Sequence, residues 1–220
     1  KSTQLRRLAT YLRGMGHRVI ETREPGGTPM AEAIRQLFLH PPADAEPLTA
    51  PCEAYLIMAG RSQHIAHLVV PALAQGAIVL CDRFADSTMA YQGYGRKVDR
   101  DTLEAMNRFA TGGLHPSLTL LLDLPVRQGL TRRAQDHQAL NRLDRERLQF
   151  HTRVRRGFLE LAEREPGRIT LINAAHDADT VAQEIQTIVA GRLRPMRRVT
   201  TKRATSTPLA PPARRARSPK

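Results

Sequence analysis

Lys1-Ser2-Thr3 stands directly before a helix-like run and has the order that closes a phosphate-cradling loop, G-x-x-x-x-G-K-[ST]. In such a loop backbone N–H groups and the helix N-terminus receive phosphate oxygens, the lysine reaches the outer phosphates, and the hydroxyl holds magnesium. Three residues are a weak signal on their own. Thr22-Arg23-Glu24-Pro25-Gly26-Gly27-Thr28 is more distinctive. Pro25 stiffens the chain there, and Gly26 and Gly27 permit positive φ and close backbone approach to a ligand, although an ordinary loop could have the same composition. Asp82-Arg83 follows the apolar run Ala77–Cys81. An aspartate at that point can hold magnesium through water, and an arginine can grip a phosphate through two parallel hydrogen bonds. A local ion pair is the plain alternative. Arg61-Ser62-Gln63, Tyr91-Gln92-Gly93, and the arginines 132, 133 and 142 around the polar stretch Gln135–Asn141 complete the candidates. A solvated charged face would account for those last arginines equally simply.

The elements that must position these residues alternate. Helical spacing of Leu5, Leu8 and Leu12 predicts a helix over 3–13, ended by Gly14 and Gly16. A short strand is expected at 18–21, with the loop Thr22–Thr28 after it, then a helix at 30–39 stopped by Pro41 and Pro42. Residues 52–70 read as one long helix, with another turn at 71–75. The runs 77–81, 118–122 and 169–172 are apolar and of strand length. Helices are expected between and after them at 101–110, 126–134, 144–164 and 180–189, with Asp101 and Glu104 resembling a capping pair. Continuously apolar strands joined by helices are the pattern of a parallel α/β sheet, whose ligands bind beyond the carboxyl ends of the strands. Arg23-Glu24, Asp82-Arg83-Phe84 and Asp123 fall at those ends.

Composition narrows the class. The chain has 220 residues, 41% hydrophobic and 25% charged, as in a globular protein with room for one large domain. No run approaches the ~18 apolar residues of a membrane span, and nothing resembling a signal peptide opens the sequence. Cys52 and Cys81 are too few for a disulfide framework or a four-ligand zinc site, which suits a reducing, cytoplasmic setting. Ten of the 34 basic residues and none of the acids lie from Arg192 onward, so the net charge of +13 falls to +3 for residues 1–191. The segment 192–220 also holds five prolines and few large apolar residues. It is expected to be a disordered basic tail, either merely solvated or making a weak, salt-sensitive polyanion contact.

Taken together, Lys1-Ser2-Thr3, the TREPGGT loop at 22–28, Arg61-Ser62-Gln63-His64, Asp82-Arg83-Phe84, Ser87-Thr88 and Tyr91-Gln92-Gly93 resemble bacterial thymidylate kinase in order and spacing. Residues 141–162 look like that family's lid and following helix. The resemblance covers residues 1–191, with a lid at about 131–145, and leaves out the basic tail. It implies an α/β P-loop nucleoside-monophosphate-kinase fold and transfer of a phosphate from ATP to dTMP, with Mg2+, in a cytoplasmic homodimer. It also implies a first strand and phosphate-loop glycines ahead of Lys1, so the chain is expected to be truncated just before the loop lysine, and the activity of such a chain stays open.

Carried over residue by residue, the resemblance puts Lys1 on the ATP phosphates and Ser2 or Thr3 on magnesium, with Asp82 as the second metal-holding group. Arg83 would hold the dTMP phosphate in a pocket shaped by Arg23, Glu24 and Pro25. Arg61 would bond the thymine edge, with Ile57 where an aromatic residue usually stacks. Ser87, Thr88 and Gln92 would line the acceptor site, and Tyr91 would crowd out a 2′-hydroxyl. Arg132 or Arg133 would close over the phosphates from the lid, with Arg142 on the ATP side. The family's Asp-Arg-x-Glu in the lid appears here as Asn141-Arg142-Leu143-Asp144. Two alternatives remain: a P-loop kinase for another nucleoside or nucleotide, and a non-catalytic remnant whose basic tail binds nucleic acid.

Overall fold

The computed structural model describes residues 1–42, 44–135 and 140–193. Four five-residue strands form two parallel pairs. Strand β1 (Val19–Arg23) pairs with β2 (Ile78–Asp82) in the register Val19 opposite Ile78 and Arg23 opposite Asp82. Strand β3 (Thr119–Asp123) pairs with β4 (Ile169–Asn173), Asp123 standing opposite Asn173. Among the described residues β2 and β3 are not paired with each other, so the sheet is divided into two ladders. The parallel, helix-flanked α/β architecture expected from the sequence is the one observed.

Both ladders are joined by one apolar layer. Helix α1 (Ser2–Gly14) buries Leu8 and Leu12, which share a cluster with Val19, with Ile172 of β4, and with Val181, Ile185 and Val189 of the helix Ala178–Leu193. Ile78, Leu80, Leu120 and Leu122 pack against the same cluster from β2 and β3. Each fully buried leucine or isoleucine contributes about 1.5–3 kcal/mol, so this layer is what holds the two ladders side by side.

The remaining helices build the walls of the strand ends. Helix α2 (Pro29–Leu39) is capped by the Thr28 side chain, which accepts from the Ala31 N–H, and has proline in its first turn. It packs on α3 (Ala50–His64), capped in the same way by Thr49. The long helix expected over 52–70 is instead α3, a π-helical stretch Ile65–Val69, and α4 (Val70–Ala74). After β2 come α5 (Ala85–Thr88), a second π-helical stretch Met89–Gly95, and α6 (Arg100–Thr111). The α6 cap is Asp99, which accepts from the Thr102 N–H at 2.8 Å, rather than the Asp101–Glu104 pair expected.

Helix α7 (Val126–Ala134) falls as expected, whereas α8 begins only at Leu148 and runs to Arg164. The second π-helical stretch presses on α8 so closely that a Cβ on Gly157 would lie 2.6 Å from the Tyr94 ring. The last helix, α9 (Ala178–Leu193), passes through Arg192, where the tail was expected to start. Residues 194–220 and lid residues 136–139 lie outside the described residues.

Candidate active site

The strand ends gather the sequence candidates into two adjoining regions. One forms where the start of α1 meets the end of β2. Helix α1 has no side-chain cap and no acid in its first turn, so its leading N–H groups face outward. Such an end carries partial positive charge and receives anions. Beside it the Ser2 hydroxyl donates to Asp82 Oδ2 at 3.3 Å. Two oxygens at that spacing fit neighbouring corners of a magnesium octahedron, whose edge is about 3.0 Å for bonds of about 2.1 Å. Among the described residues no group of three or more His, Cys, Asp and Glu could hold a metal ion. The Ser2–Asp82 pair therefore suits an ion that keeps waters and takes its other oxygens from phosphate. Asp82 bonds Ser2 and is not spent in an ion pair with its neighbour Arg83.

Cations crowd this region. Arg83 sits in the left-handed region at φ 76°, a conformation few non-glycine residues adopt and one that concentrates at functional sites. Its guanidinium lies over the Tyr91 ring, 5.0 Å from the centroid, and donates to the Tyr91 hydroxyl at 3.2 Å. The Arg83 charge, then burial, holds the Lys1 ammonium down to about 8 despite the opposing pull of Asp82 and Asp144. Arg133 adds to that lowering and is itself paired with Asp144 at 2.9 Å, which places it on the Lys1 side. Arg132 is exposed and donates to the Ala174 carbonyl after β4 at 2.9 Å. The structure thus separates the two arginines that the sequence left as alternatives.

The second region is a buried stripe along α3. Glu53, Ile57, Arg61 and His64 follow one another at helical spacing and are all buried, which for three charged or polar residues is unusual without a task. Arg61, 2% exposed, donates to Glu24 from Nε at 2.8 Å, to Thr88 Oγ1 at 3.1 Å and to Asn107 Oδ1, with Met58 Sδ at 3.7 Å as its weakest contact. Glu24 holds His64 Nδ1 with its other oxygen at 2.9 Å, and His64 Nε2 meets Thr22 Oγ1 at 2.8 Å. Gly27 closes over this pair at φ 90°, where a Cβ would lie 2.5 Å from the His64 ring. Of the loop residues, Glu24 turns inward, whereas Arg23 stays exposed on Glu32 and the Pro25 carbonyl accepts from Arg35. Arg35 was not among the sequence candidates.

Glu53 was also missed. It is 1% exposed and accepts from Gln92 at 3.1 Å, from Arg96 at 3.0 Å and from Arg142 at 2.5 Å. The signal that could have found it is its place one helical turn before Ile57 and two before Arg61. Arg142, expected on the ATP side, is committed here: besides Glu53 it donates to the Phe38 carbonyl at 3.2 Å and covers the Phe38 ring. Its neighbour Leu143 packs on the clusters that hold Ile57 with Phe38 and Ala90 with Phe150. Ser87 lies in α5 and Thr3 in the first turn of α1.

An open helix end, a lysine with a suppressed pKa and an arginine in a strained backbone, gathered where parallel strands finish, suit the oxygens of phosphate groups. The class this defines is a nucleotide-binding kinase of the P-loop α/β type. Comparison with known proteins gives the family. The family model described as thymidylate kinase matches residues 1–185. The thymidylate kinase of Caulobacter vibrioides is 48% identical over 194 residues, covering 88% of this chain and 91% of that protein. That of Geobacter sulfurreducens is 44% identical over 198 residues, covering 88% and 92%. The crystal structure of thymidylate kinase from Ehrlichia chaffeensis superposes with a TM-score of 0.68 at 31% identity, covering 86% of this chain and 91% of that one. The chain belongs to the thymidylate kinase family.

Two outcomes check this geometry. Glu24→Gln leaves Arg61 buried without its counter-charge and is expected to cost about 3–5 kcal/mol in urea unfolding; a loss under 1 kcal/mol would show that the pair holds nothing together. With its pKa near 8, Lys1 is half charged at pH 8, and anion binding favours the charged form. Tripolyphosphate binding at pH 8 is therefore expected to take up about 0.5 proton more in the wild type than in Lys1→Arg, whose guanidinium does not titrate. Calorimetry in buffers of different ionisation enthalpy reads this, and equal uptake would remove Lys1 from the anion site.

Proposed function

We propose that the chain transfers the γ-phosphate of ATP to dTMP, giving dTDP, with Lys1 and the first turn of α1 holding the donor and Arg83 holding the acceptor phosphate. The observation that carries this reading is the juxtaposition at the end of β2. Asp82 reaches back to Ser2 while the adjacent Arg83 reaches forward to Tyr91, so one strand end serves both phosphates. The acceptor phosphate has a second pKa of about 6 and is largely dianionic at neutral pH, so no strong general base is required. Alignment and neutralisation of charge by Lys1, Arg83 and Arg133 are the work left to the protein. Magnesium, held by Ser2 or Thr3 and Asp82, would neutralise charge on the transferring group.

On the acceptor side Arg61 would exchange its weak Met58 contact for the thymine edge, with Thr88 and Gln92 fixed beside it by Arg61 and Glu53. Ile57 would give the base apolar contact. Tyr91, braced edge-on by Phe150 and Phe158, would sit against the deoxyribose. Arg142 belongs in this reading to lid closure, through Glu53. Residues 1–191 are the catalytic domain of this proposal, acting in the cytoplasm; no helix among the described residues is long and apolar enough to cross a membrane.

A homodimer is part of the same reading. Leu37 of α2, Tyr55 of α3 and Phe109 of α6 are 51%, 65% and 92% exposed on three helices packed side by side. Exposed large apolar residues in such an array mark an interface. Phe109→Asp is expected to convert a dimer to a monomer in sedimentation at micromolar concentration; an unchanged species would place the interface elsewhere.

The activity is tested by coupled ADP release with ATP and magnesium, on this chain and on one extended by a strand and a glycine-rich loop. Turnover is expected to be highest with dTMP among dTMP, dUMP and deoxythymidine, and higher in the extended chain. Arg83→Ala is expected to lower turnover about 10³-fold with an unchanged circular dichroism spectrum. A maximum on another acceptor would assign the site to a different nucleotide, and near-normal turnover of Arg83→Ala would overturn its role.

A further inference from the structure

Behind the π-helical stretch whose front carries Tyr91 and Gln92 lies a cavity of about 470 Å³, between that stretch and α8. Its lining includes Lys97, Arg100, Arg153, Arg156 and Arg164, with Asp99 and Glu160 as the carboxylates. Neither carboxylate is available to balance them all. Asp99 is occupied as the α6 cap, accepting from the Thr102 N–H and hydroxyl. Glu160 accepts from the Tyr94 hydroxyl at 2.8 Å and is paired with Arg156 at 2.6 Å. Among the described residues Arg153 donates to the Gly95 carbonyl alone, and Arg100 lies over the Tyr94 ring at 4.8 Å. Among the described residues, Lys97, Arg100, Arg153 and Arg164 make no ion pair within 4.0 Å, although Arg100 helps lower the Asp99 pKa and Arg164 that of Glu160.

Four such cations around one concavity repel one another and focus a positive potential, which a multiply charged anion would relieve. The backbone gives a second sign. Lys97 is in the left-handed region at φ 64°, and the one other non-glycine residue so placed among the described residues is Arg83, in the candidate active site. Lys97 directly follows the C-cap Arg96 of the π-helical stretch, and the Val98 N–H closes that turn onto the Gln92 carbonyl at 3.0 Å, which fixes Lys97 beside the cavity. The cavity volume lies within the range of small-molecule sites, and Val98 and Gly93 supply it with apolar wall.

We infer that this cavity is a second anion site, for a small phosphorylated metabolite of nucleotide size bearing several negative charges. It shares the π-helical stretch with the catalytic region but none of its residues, and the inference stands apart from the activity proposed above. The probe is inorganic tripolyphosphate, titrated into the full chain by calorimetry at about 0.15 M salt. Lys97 and Arg164 are exposed, and among the described residues neither makes an ion pair within 4.0 Å, although the Arg164 charge helps lower the Glu160 pKa, so Lys97→Ala/Arg164→Ala leaves the fold intact. The expected result is two binding events, one lost in Lys1→Ala/Arg83→Ala and a second retained there and weakened tenfold or more by Lys97→Ala/Arg164→Ala. Arg153→Lys, which keeps the charge, is expected to bind within threefold of wild type. An isotherm unchanged by Lys97→Ala/Arg164→Ala would overturn the site. A single-stranded oligonucleotide whose binding depends on Lys97 and Arg164 while that of tripolyphosphate does not would overturn the small-molecule assignment.

Discussion

One buried carboxylate fixes the relation between the loop after β1 and the helices around it. Glu24 takes Arg61 on one oxygen and His64 on the other, with all three side chains at most 3% exposed. Removing two charges from water costs several kcal/mol, which the attraction offsets only when every remaining donor is placed. Here each is placed. The guanidinium carries the connection on to Thr88 in α5 and Asn107 in α6, and the imidazole carries it back to Thr22 in β1. The network thus ties together side chains from four elements, a preorganisation that suits selection by hydrogen bonds. Glu53 repeats the device one helical turn before Ile57, with Gln92, Arg96 and Arg142 as its donors.

The other side of the site is built on the opposite principle. Around Lys1 and Arg83 the cations outnumber the carboxylates, and the lysine gives up part of its affinity for a proton in consequence. Such an arrangement is uncomfortable when empty and is relieved by the charge it receives. The two regions thus differ in kind, one a satisfied, buried network and the other an excess of positive charge.

The strands and the strand-end residues were legible because they rest on local signals. Runs such as Ile78–Cys81 are apolar throughout and read as strands, half-buried here in β2 and β3, and the polar residues directly after them stand at the strands' carboxyl ends. The glycines at 26 and 27 likewise announce a backbone that other residues would strain. Glu53 was not legible in that way, because an acid in the first turn of a helix is ordinary; its meaning lies in Gln92, Arg96 and Arg142, which are 39 to 89 residues away. The destination of Arg142 and the choice between Arg132 and Arg133 depend on the path of the chain between α7 and α8, which no periodicity specifies. The breaks in the 52–70 helix and in the segment after Thr88 were hidden for a related reason. A π-helical turn keeps helical composition and differs only in its hydrogen-bond register.

That register has an evolutionary consequence at Met89–Gly95. Side chains on a helix advance by about 100° per residue, so losing or gaining one residue there would turn everything beyond it by that angle. Tyr91 and Gln92 would keep their places, while Tyr94 and Gly95 would swing away from Gly157 and Phe150, which fit them with no space to spare. Among descendants of this sequence the stretch should drift by substitution and almost never by insertion or deletion. A gap opened there in an alignment would then mark a lineage in which the contact with α8 has been rebuilt.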